Sequence, residues 1–318
     1  MPNIIAVTGA TGAQGGGLIR AILANSDSDS DSGFAARAIT RNPESPAAVA
    51  LAAEGVEVVK ADLDDEASLT RAFAGAHGVY CITNFWEHFS PEREKTQARN
   101  LANAVRAVRP AHVIWSTLED VRDYVPLGDS RMPTLMESYK VPHFDAKAEA
   151  NEFFRETGVP MTYLYTSFYW DNMISFGMGP VRDENGALTL TFPLGDSQLP
   201  SIAAGDIGAC AYGIFKQGEP WIGRSVGIAG EHLSGADMAA GLSAALGEEV
   251  HYNAVTPAAY SAFGFPGADE LANMFQFNTE FATEFGGARD VATSRRLNPG
   301  LTSYRQWLGA NIEKIRIV

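Results

Sequence analysis

The heptapeptide Gly9-Ala10-Thr11-Gly12-Ala13-Gln14-Gly15 constrains what this chain can become more than any other segment. It follows the apolar run Ile4-Ile5-Ala6-Val7. It opens residues 16–24, where Leu18, Ile19, Ile22 and Leu23 recur at helical spacing. The glycines therefore occupy a strand-to-helix turn. Gly9 permits the tight turn, Gly12 lets the backbone approach a pyrophosphate, and Gly15 lets the helix pack on its strand. The helix N-terminus offers free N–H groups and partial positive charge to phosphates. The alternative is a glycine-rich turn with no ligand. The strand before and the helix after favour nucleotide binding, with Thr11, Ala13 and Gln14 inside the loop.

The pattern of the first half extends this reading. Strands are expected at 4–7, 34–39, 56–60, 78–82, 112–115 and 161–165, and helices at 16–24, 46–54, 66–73, 91–108 and 144–157. Such alternation implies right-handed crossovers and a doubly wound parallel sheet in an α/β fold, with its ligand beyond the carboxyl ends of the strands. The second half reads as a smaller, mostly helical lobe. It has strands at 187–192 and 225–228, and helices at 204–215, 235–246, 266–277 and 303–312. Another helix starts at Thr256-Pro257. Residues 1–158 are expected to bind the dinucleotide and 159–318 to form a substrate or partner lobe, with at least one strand of the lobe joining the main sheet.

Two segments stand apart. The run Ser26-Asp27-Ser28-Asp29-Ser30-Asp31-Ser32-Gly33 alternates acids like a calcium loop, but its glycine is displaced and its twelfth position is Ala38, so a solvated loop is expected. Residues 118–142 form a long connection rich in Pro, Gly, Asp and Met. That length suggests a lid or binding element that orders around a ligand, with disorder as the alternative.

Composition sets the outer limits. The 318 residues carry 24 basic and 38 acidic side chains, a formal charge of −14. That argues against direct nucleic-acid binding and against an anionic membrane surface. No apolar run approaches the length of a membrane span. The chain opens on a core strand, so a cytoplasmic location is expected. Cys81 and Cys210 lie in apolar stretches and read as inert buried thiols. No spacing suggests a metal site.

The end of the second strand discriminates between dinucleotides. An NAD site wants an acid there, whereas an NADP site wants an arginine for the 2′-phosphate. Here the strand runs Ala38-Ile39-Thr40-Arg41-Asn42-Pro43, without an acid and with Arg41. NADP(H) is the expected cofactor, with Thr11 and Gln14 as further polar groups near that phosphate. Arg37, in mid-strand, should point into a sheet face. Asp62, with Leu63 beside it, is placed to reach the adenine, while Asp64, Asp65 and Glu66 cap the next helix. Thr83 and Asn84 leave the fourth strand beside the nicotinamide half. Phe85 and Trp86 either join them or belong to the core.

The segments Gly9–Gly16, Thr40-Arg41-Asn42-Pro43, Thr83-Asn84-Phe85-Trp86-Glu87, Ser116-Thr117-Leu118-Glu119, His143-Phe144-Asp145-Ala146-Lys147, Gly158-Val159-Pro160-Met161-Thr162 and residues 265–275 resemble NmrA-like proteins. These are atypical members of the short-chain dehydrogenase/reductase superfamily, and the NADPH-sensing branch is the most similar. The resemblance spans nearly the whole chain. It implies that Lys147 anchors the nicotinamide ribose and that Ser116 stands at the superfamily's serine position. It also implies that 166–172, with Phe168, Tyr169 and Asn172, lines the nicotinamide and substrate pocket. Where the superfamily has its tyrosine, four residues before the lysine, this chain has His143.

His143 and Lys147 sit at i and i+4, so on a helix they share a face. Either His143 faces the cofactor and serves as general acid, with Tyr169 in reserve, or it packs or caps and no proton donor is evident. Two functions follow. The first is an NADP(H)-binding redox sensor or regulator with little dehydrogenase activity. The second is an NADPH-dependent reductase of a small carbonyl, quinone or imine.

Overall fold

The computed structural model describes residues 2–25 and 33–317. The acidic run at 26–32 lies outside them. Along the first half come β1 (Asn3–Val7), α1 (Ala13–Ala24), β2 (Phe34–Thr40), α2 (Pro46–Ala53), β3 (Glu57–Lys60), α3 (Glu66–Phe73), β4 (Gly78–Cys81), α4 (Pro91–Val108), β5 (His112–Thr117), α5 (Pro142–Arg155) and β6 (Met161–Tyr165). The second half adds β7 (Phe168–Tyr169), α6 (Asn172–Ser175), β8 (Val181–Arg182), β9 (Leu188–Phe192), β10 (Leu199–Ile202), α7 (Ala204–Gln217), β11 (Arg224–Gly227), β12 (Glu231–Leu233), α8 (Gly235–Leu246), β13 (Val250–Ala254), α9 (Pro257–Ser261), α10 (Ala268–Glu280), α11 (Ala282–Gly287), α12 (Val291–Leu297) and α13 (Tyr304–Asn311).

Seven parallel strands form the main sheet in the order β3-β2-β1-β4-β5-β6-β11. This is the doubly wound fold read from the sequence, with β11 as an added edge. The order reverses between β1 and β4, which opens a crevice at their carboxyl ends. Thr8 ties the two strands there: its hydroxyl accepts from the Ile82 amide at 2.7 Å and also reaches the Tyr80 carbonyl at 3.1 Å.

Alternation along the strands loads both faces of the sheet. Ile5, Val7, Tyr80 and Ile114 join one core with Leu18, Ile19, Ile207 and Ile214 of α1 and α7. Ala6, Val79, Cys81, Val113 and Trp115 join the other with Leu69, Leu101, Val105 and Phe154 of α3, α4 and α5. Cys81 and Cys210 are free and buried on opposite faces, where burial pushes both thiol pKa values up. Helices α1 and α7 cross at glycines. A Cβ on Gly17 would lie 2.3 Å from the Gly205 carbonyl oxygen, and one on Gly208 would lie 2.0 Å from the Leu18 nitrogen.

A third core belongs to the C-terminal lobe and gathers Phe168, Trp170, Leu190, Phe192, Met238, Phe275, Phe277 and Trp307. The lobe is mainly helical but also holds two three-stranded sheets, β12-β10-β7 and β13-β9-β8. The shortest of these strands, β7 and β8, have two residues each, too few for alternation to show. A turn through residues 183–186 joins β8 to β9, with Gly186 at φ +83°. Helix α5 starts at Pro142 rather than 144, with proline in its first turn.

The segment 118–142 is tied down by side chains within it and beyond it. Asp145 accepts from the amides of Val121, Lys140 and Val141 at 2.8, 2.7 and 3.1 Å. The fully buried Lys140 ammonium donates to the Asp129 and Met132 carbonyls. Asn273 of α10 holds the Pro133 and Lys140 carbonyls. The segment packs on the lobe instead of covering the crevice.

Candidate active site

A single cavity of about 570 Å³ runs from the glycine turn past the ends of β2, β4, β5 and β6 to the lobe. At the turn, Gly9 has φ +59°, and its carbonyl accepts from the Gly12 amide at 2.9 Å. Gly15 is required by the protein itself, because a Cβ there would stand 2.3 Å from the Gly9 oxygen. Gly12 differs. An added Cβ would approach only the Gly9 oxygen, at 3.2 Å. Gly12 is also the N-cap of α1 and offers no side-chain cap, so the helix's first N–H groups face the cavity that Thr11, Gly12 and Ala13 line. This cradle fits a pyrophosphate.

At the end of the cavity beside β2 and β3, Arg41, Asp62 and Leu63 line the wall. Arg41 is paired across the mouth with Glu87. Arg37 turns away to Glu57 and the Ala72 and Ala74 carbonyls, as its mid-strand place suggested. Of the three acids expected to cap α3, Asp65 does so. Asp64 instead binds Arg93 and Gln97 of α4.

At the other end Gln14 goes where the sequence did not indicate. Its side chain lies over the strand ends. Its amide nitrogen donates to the Tyr169 hydroxyl at 2.6 Å, and its oxygen accepts from Tyr80 at 2.8 Å and Ser116 at 2.9 Å. Ser116 thus faces Gln14 and bonds neither Lys147 nor His143. Burial raises the pKa of the Tyr169 phenol, which also contacts Thr166.

Lys147 comes to the cavity from α5. Its ammonium donates to Thr83 Oγ1 and to Glu94 Oε1, both at 2.6 Å, and lies 5.2 Å from the Trp115 ring centroid. Glu94 is fully buried. Burial pushes its carboxyl up, but the Lys147 charge and the hydrogen bonds from Lys147 and Thr83 outweigh that and hold it down at about 2. Glu94 was missed, although its spacing from Gln97, Ala98 and Leu101 on α4 puts it on the buried face.

His143 lines the same cavity one turn before Lys147. Its Nδ1 lies 2.6 Å from Glu270 Oε1, which also accepts the His143 amide at 2.6 Å. Nε2 has no hydrogen bond among the described residues. Trp86, Phe144 and Phe85 surround the ring at centroid distances of 4.7, 4.7 and 5.9 Å. Phe85 is therefore at once buried and cavity-lining. The exposed Asn84 lines the wall, as do Phe168 and Asn172, and Phe168 also packs on Phe192 and Phe275. The lobe closes the far end with Phe176, Phe265 and Met274. Among the described residues no cluster of His, Cys, Asp and Glu could hold a metal, and no helix is long and apolar enough to cross a membrane.

Comparison with known proteins agrees with this architecture. A sequence profile of the NmrA-like family matches residues 1–307. The NmrA-like family domain-containing oxidoreductase lnbB of Aspergillus flavus is 29% identical over 311 residues, covering 92% of this chain and 88% of the relative. The corresponding oxidoreductase FrzB of a Cladobotryum species is 27% identical, covering 87% and 84%. Among solved structures, the negative transcriptional regulator NmrA in complex with NAD superposes with a TM-score of 0.78 at 25% identity, over 98% of this chain and 97% of that one. An NADPH-dependent quinone oxidoreductase of Escherichia coli, complexed with NADPH, gives 0.74 at 25% identity, over 97% and 99%. The chain belongs to the NmrA-like family.

Proposed function

We propose that this member of the NmrA-like family binds NADP(H) and reduces a small, flat, apolar acceptor, a carbonyl, quinone or imine. The observation that carries this reading is the single cavity that joins the glycine cradle to His143 and Lys147 and then continues to an apolar wall from the lobe. A site that only sensed a dinucleotide would not need that last compartment. Residues 1–158 hold the dinucleotide and 159–318 shape the acceptor end. The two buried free thiols support work in the reducing cytoplasm.

The cradle of Gly9, Gly12 and α1 binds the pyrophosphate, with Thr11 and Ala13 beside it. Arg41 takes the 2′-phosphate and Asp62 and Leu63 flank the adenine. Lys147 and Thr83 hold the nicotinamide ribose, with Asn84, Phe85, Phe168 and Asn172 along the nicotinamide wall. Bound NADPH supplies a hydride and is left as NADP+. The aromatic wall excludes water, and His143 Nε2 gives a proton to the acceptor oxygen or nitrogen.

A redox sensor is the second reading. It is favoured by the absence of a phenol beside Lys147, since Tyr80 and Tyr169 are both tied to Gln14. NADPH consumption with a panel of quinones, aromatic carbonyls and cyclic imines separates the two. Steady oxidation above background supports the reductase. Tight NADPH binding without consumption of any acceptor supports the sensor.

A further inference from the structure

We propose that Glu270, contributed by the C-terminal lobe, is the positioning residue of the proton donor. It holds the His143 ring so that Nδ1 carries a hydrogen and Nε2 addresses the acceptor. This rests on the reductase reading above.

Glu270 does not line the cavity. It lies behind His143, 2% exposed, with one oxygen 2.6 Å from both the ring Nδ1 and the backbone amide of the same residue. An ionised carboxylate only accepts, so Nδ1 must donate. The amide contact keeps that oxygen in place, and the rings of Phe85, Trp86 and Phe144 flank the imidazole. A carboxylate, an imidazole and an open Nε2 are the elements by which a buried acid fixes a histidine's tautomer and compensates its charge. The lobe thereby supplies part of the acid–base machinery as well as the acceptor wall.

The proton balance is direct. His143 begins as an imidazolium paired with the Glu270 carboxylate. In a carbonyl or imine, the carbon takes the hydride from NADPH with its electron pair and the oxygen or nitrogen takes the proton from Nε2. In a quinone, one oxygen receives the hydride and the other the proton from Nε2, giving the hydroquinone. The ring is left neutral, still donating from Nδ1 to Glu270, and water restores the proton to Nε2.

Glu270→Gln separates charge from shape. The amide oxygen can still accept from both His143 donors, so the fold and the NADPH site should persist, while the compensating charge is gone. The expected result is a fall in kcat of roughly tenfold or more, with KM and NADPH affinity within about twofold of the parent, and a larger solvent isotope effect. An independent readout uses cofactor-free protein. Long-range 1H–15N correlation should find the neutral His143 protonated at Nδ1 in the parent. Parent protein with the hydrogen on Nε2, or Glu270→Gln turning over like the parent, overturns the proposal. If the parent reduces no acceptor although Nδ1 carries the hydrogen, the reductase reading fails, and the positioning role falls with it, leaving a structural pair. Normal turnover by both proteins removes the positioning role alone. If Glu270→Gln melts early, Glu270→Asp decides. The role requires partial recovery of kcat with the shorter carboxylate, and no recovery at parent-like stability overturns it.

Discussion

Arg289 grips Glu119 through two parallel bonds, Nη1–Oε1 at 2.6 Å and Nη2–Oε2 at 2.9 Å, although 170 positions separate them. The guanidinium is fully buried, lies 3.6 Å from the Phe285 ring centroid and also donates to the Thr166 and Phe285 carbonyls. It pins the lobe to the segments leaving β5 and β6. Removing one member of a buried pair strands the other, at a cost of about 3–5 kcal/mol. Arg289→Met should lower stability toward urea by that order and loosen the lobe end of the cavity. A loss under about 1 kcal/mol would show that the lobe is held elsewhere.

Arg41 and Glu87 make a pair of another kind, since both are largely exposed. A 2′-phosphate would have to share Arg41 with an acid. Arg41→Ala should weaken NADPH roughly tenfold to a hundredfold, the equivalent of about 1.5–3 kcal/mol, and NADH far less. Glu87→Gln should strengthen NADPH a few-fold, most visibly at low salt. Calorimetric titration of both cofactors checks each expectation, and equal NADPH and NADH affinity in the parent would remove the NADP assignment.

Two glycines of the turn should fail differently. Gly12→Val brings its Cβ to 3.2 Å from one backbone oxygen, that of Gly9, so it should cost the melting temperature far less than Gly15→Ala while abolishing cofactor binding. Gly15→Ala puts a Cβ 2.3 Å from a backbone oxygen and should lose stability as well. Thermal melts with and without NADPH compare them. A Gly12→Val protein that binds NADPH like the parent would mean the phosphates lie elsewhere.

Acid should report on Glu94. Its carboxyl is lowered in the fold from 4.5 to about 2. The stability it contributes is therefore complete above about 4.5 and is lost as pH falls through about 2. The shift corresponds to about 3 kcal/mol. Glu94→Gln should flatten the melting temperature over that window, lower it at neutral pH by stranding Lys147, and weaken NADPH. An unchanged acid limb in the variant would place the acid-sensitive group elsewhere.

Hydrogen exchange should find 118–142 protected before any cofactor is added, with little gain on binding NADPH. Asp145→Ala orphans three amides, at about 1–3 kcal/mol each, and should speed exchange at Val121, Lys140 and Val141. Strong protection appearing only with NADPH would restore a fold-on-binding segment.

Much of the site was legible because its signals are local. Gly9, Gly12 and Gly15 announce the turn by spacing alone, and Arg41 announces itself by following a strand. His143 and Lys147 share a helix, so their common face followed from i and i+4. The direction of Gln14, in the first turn of α1, was not legible because it depends on what waits across the crevice. Here Tyr80, Ser116 and Tyr169 come from three other strands. The packing of 118–142 was not legible because its anchors, Asp145 and Asn273, lie outside it.

The sequence by itself determined the doubly wound sheet, the phosphate cradle and the helix carrying His143 and Lys147. Periodicity and turn chemistry act over a few residues and are written in order along the chain. Only the tertiary structure decided that Lys147 meets Glu94, that His143 meets Glu270, and that Arg41 meets Glu87. Periodicity tells which face of an element is buried, whereas the partner on that face is fixed by crossovers and packing that bring distant segments together.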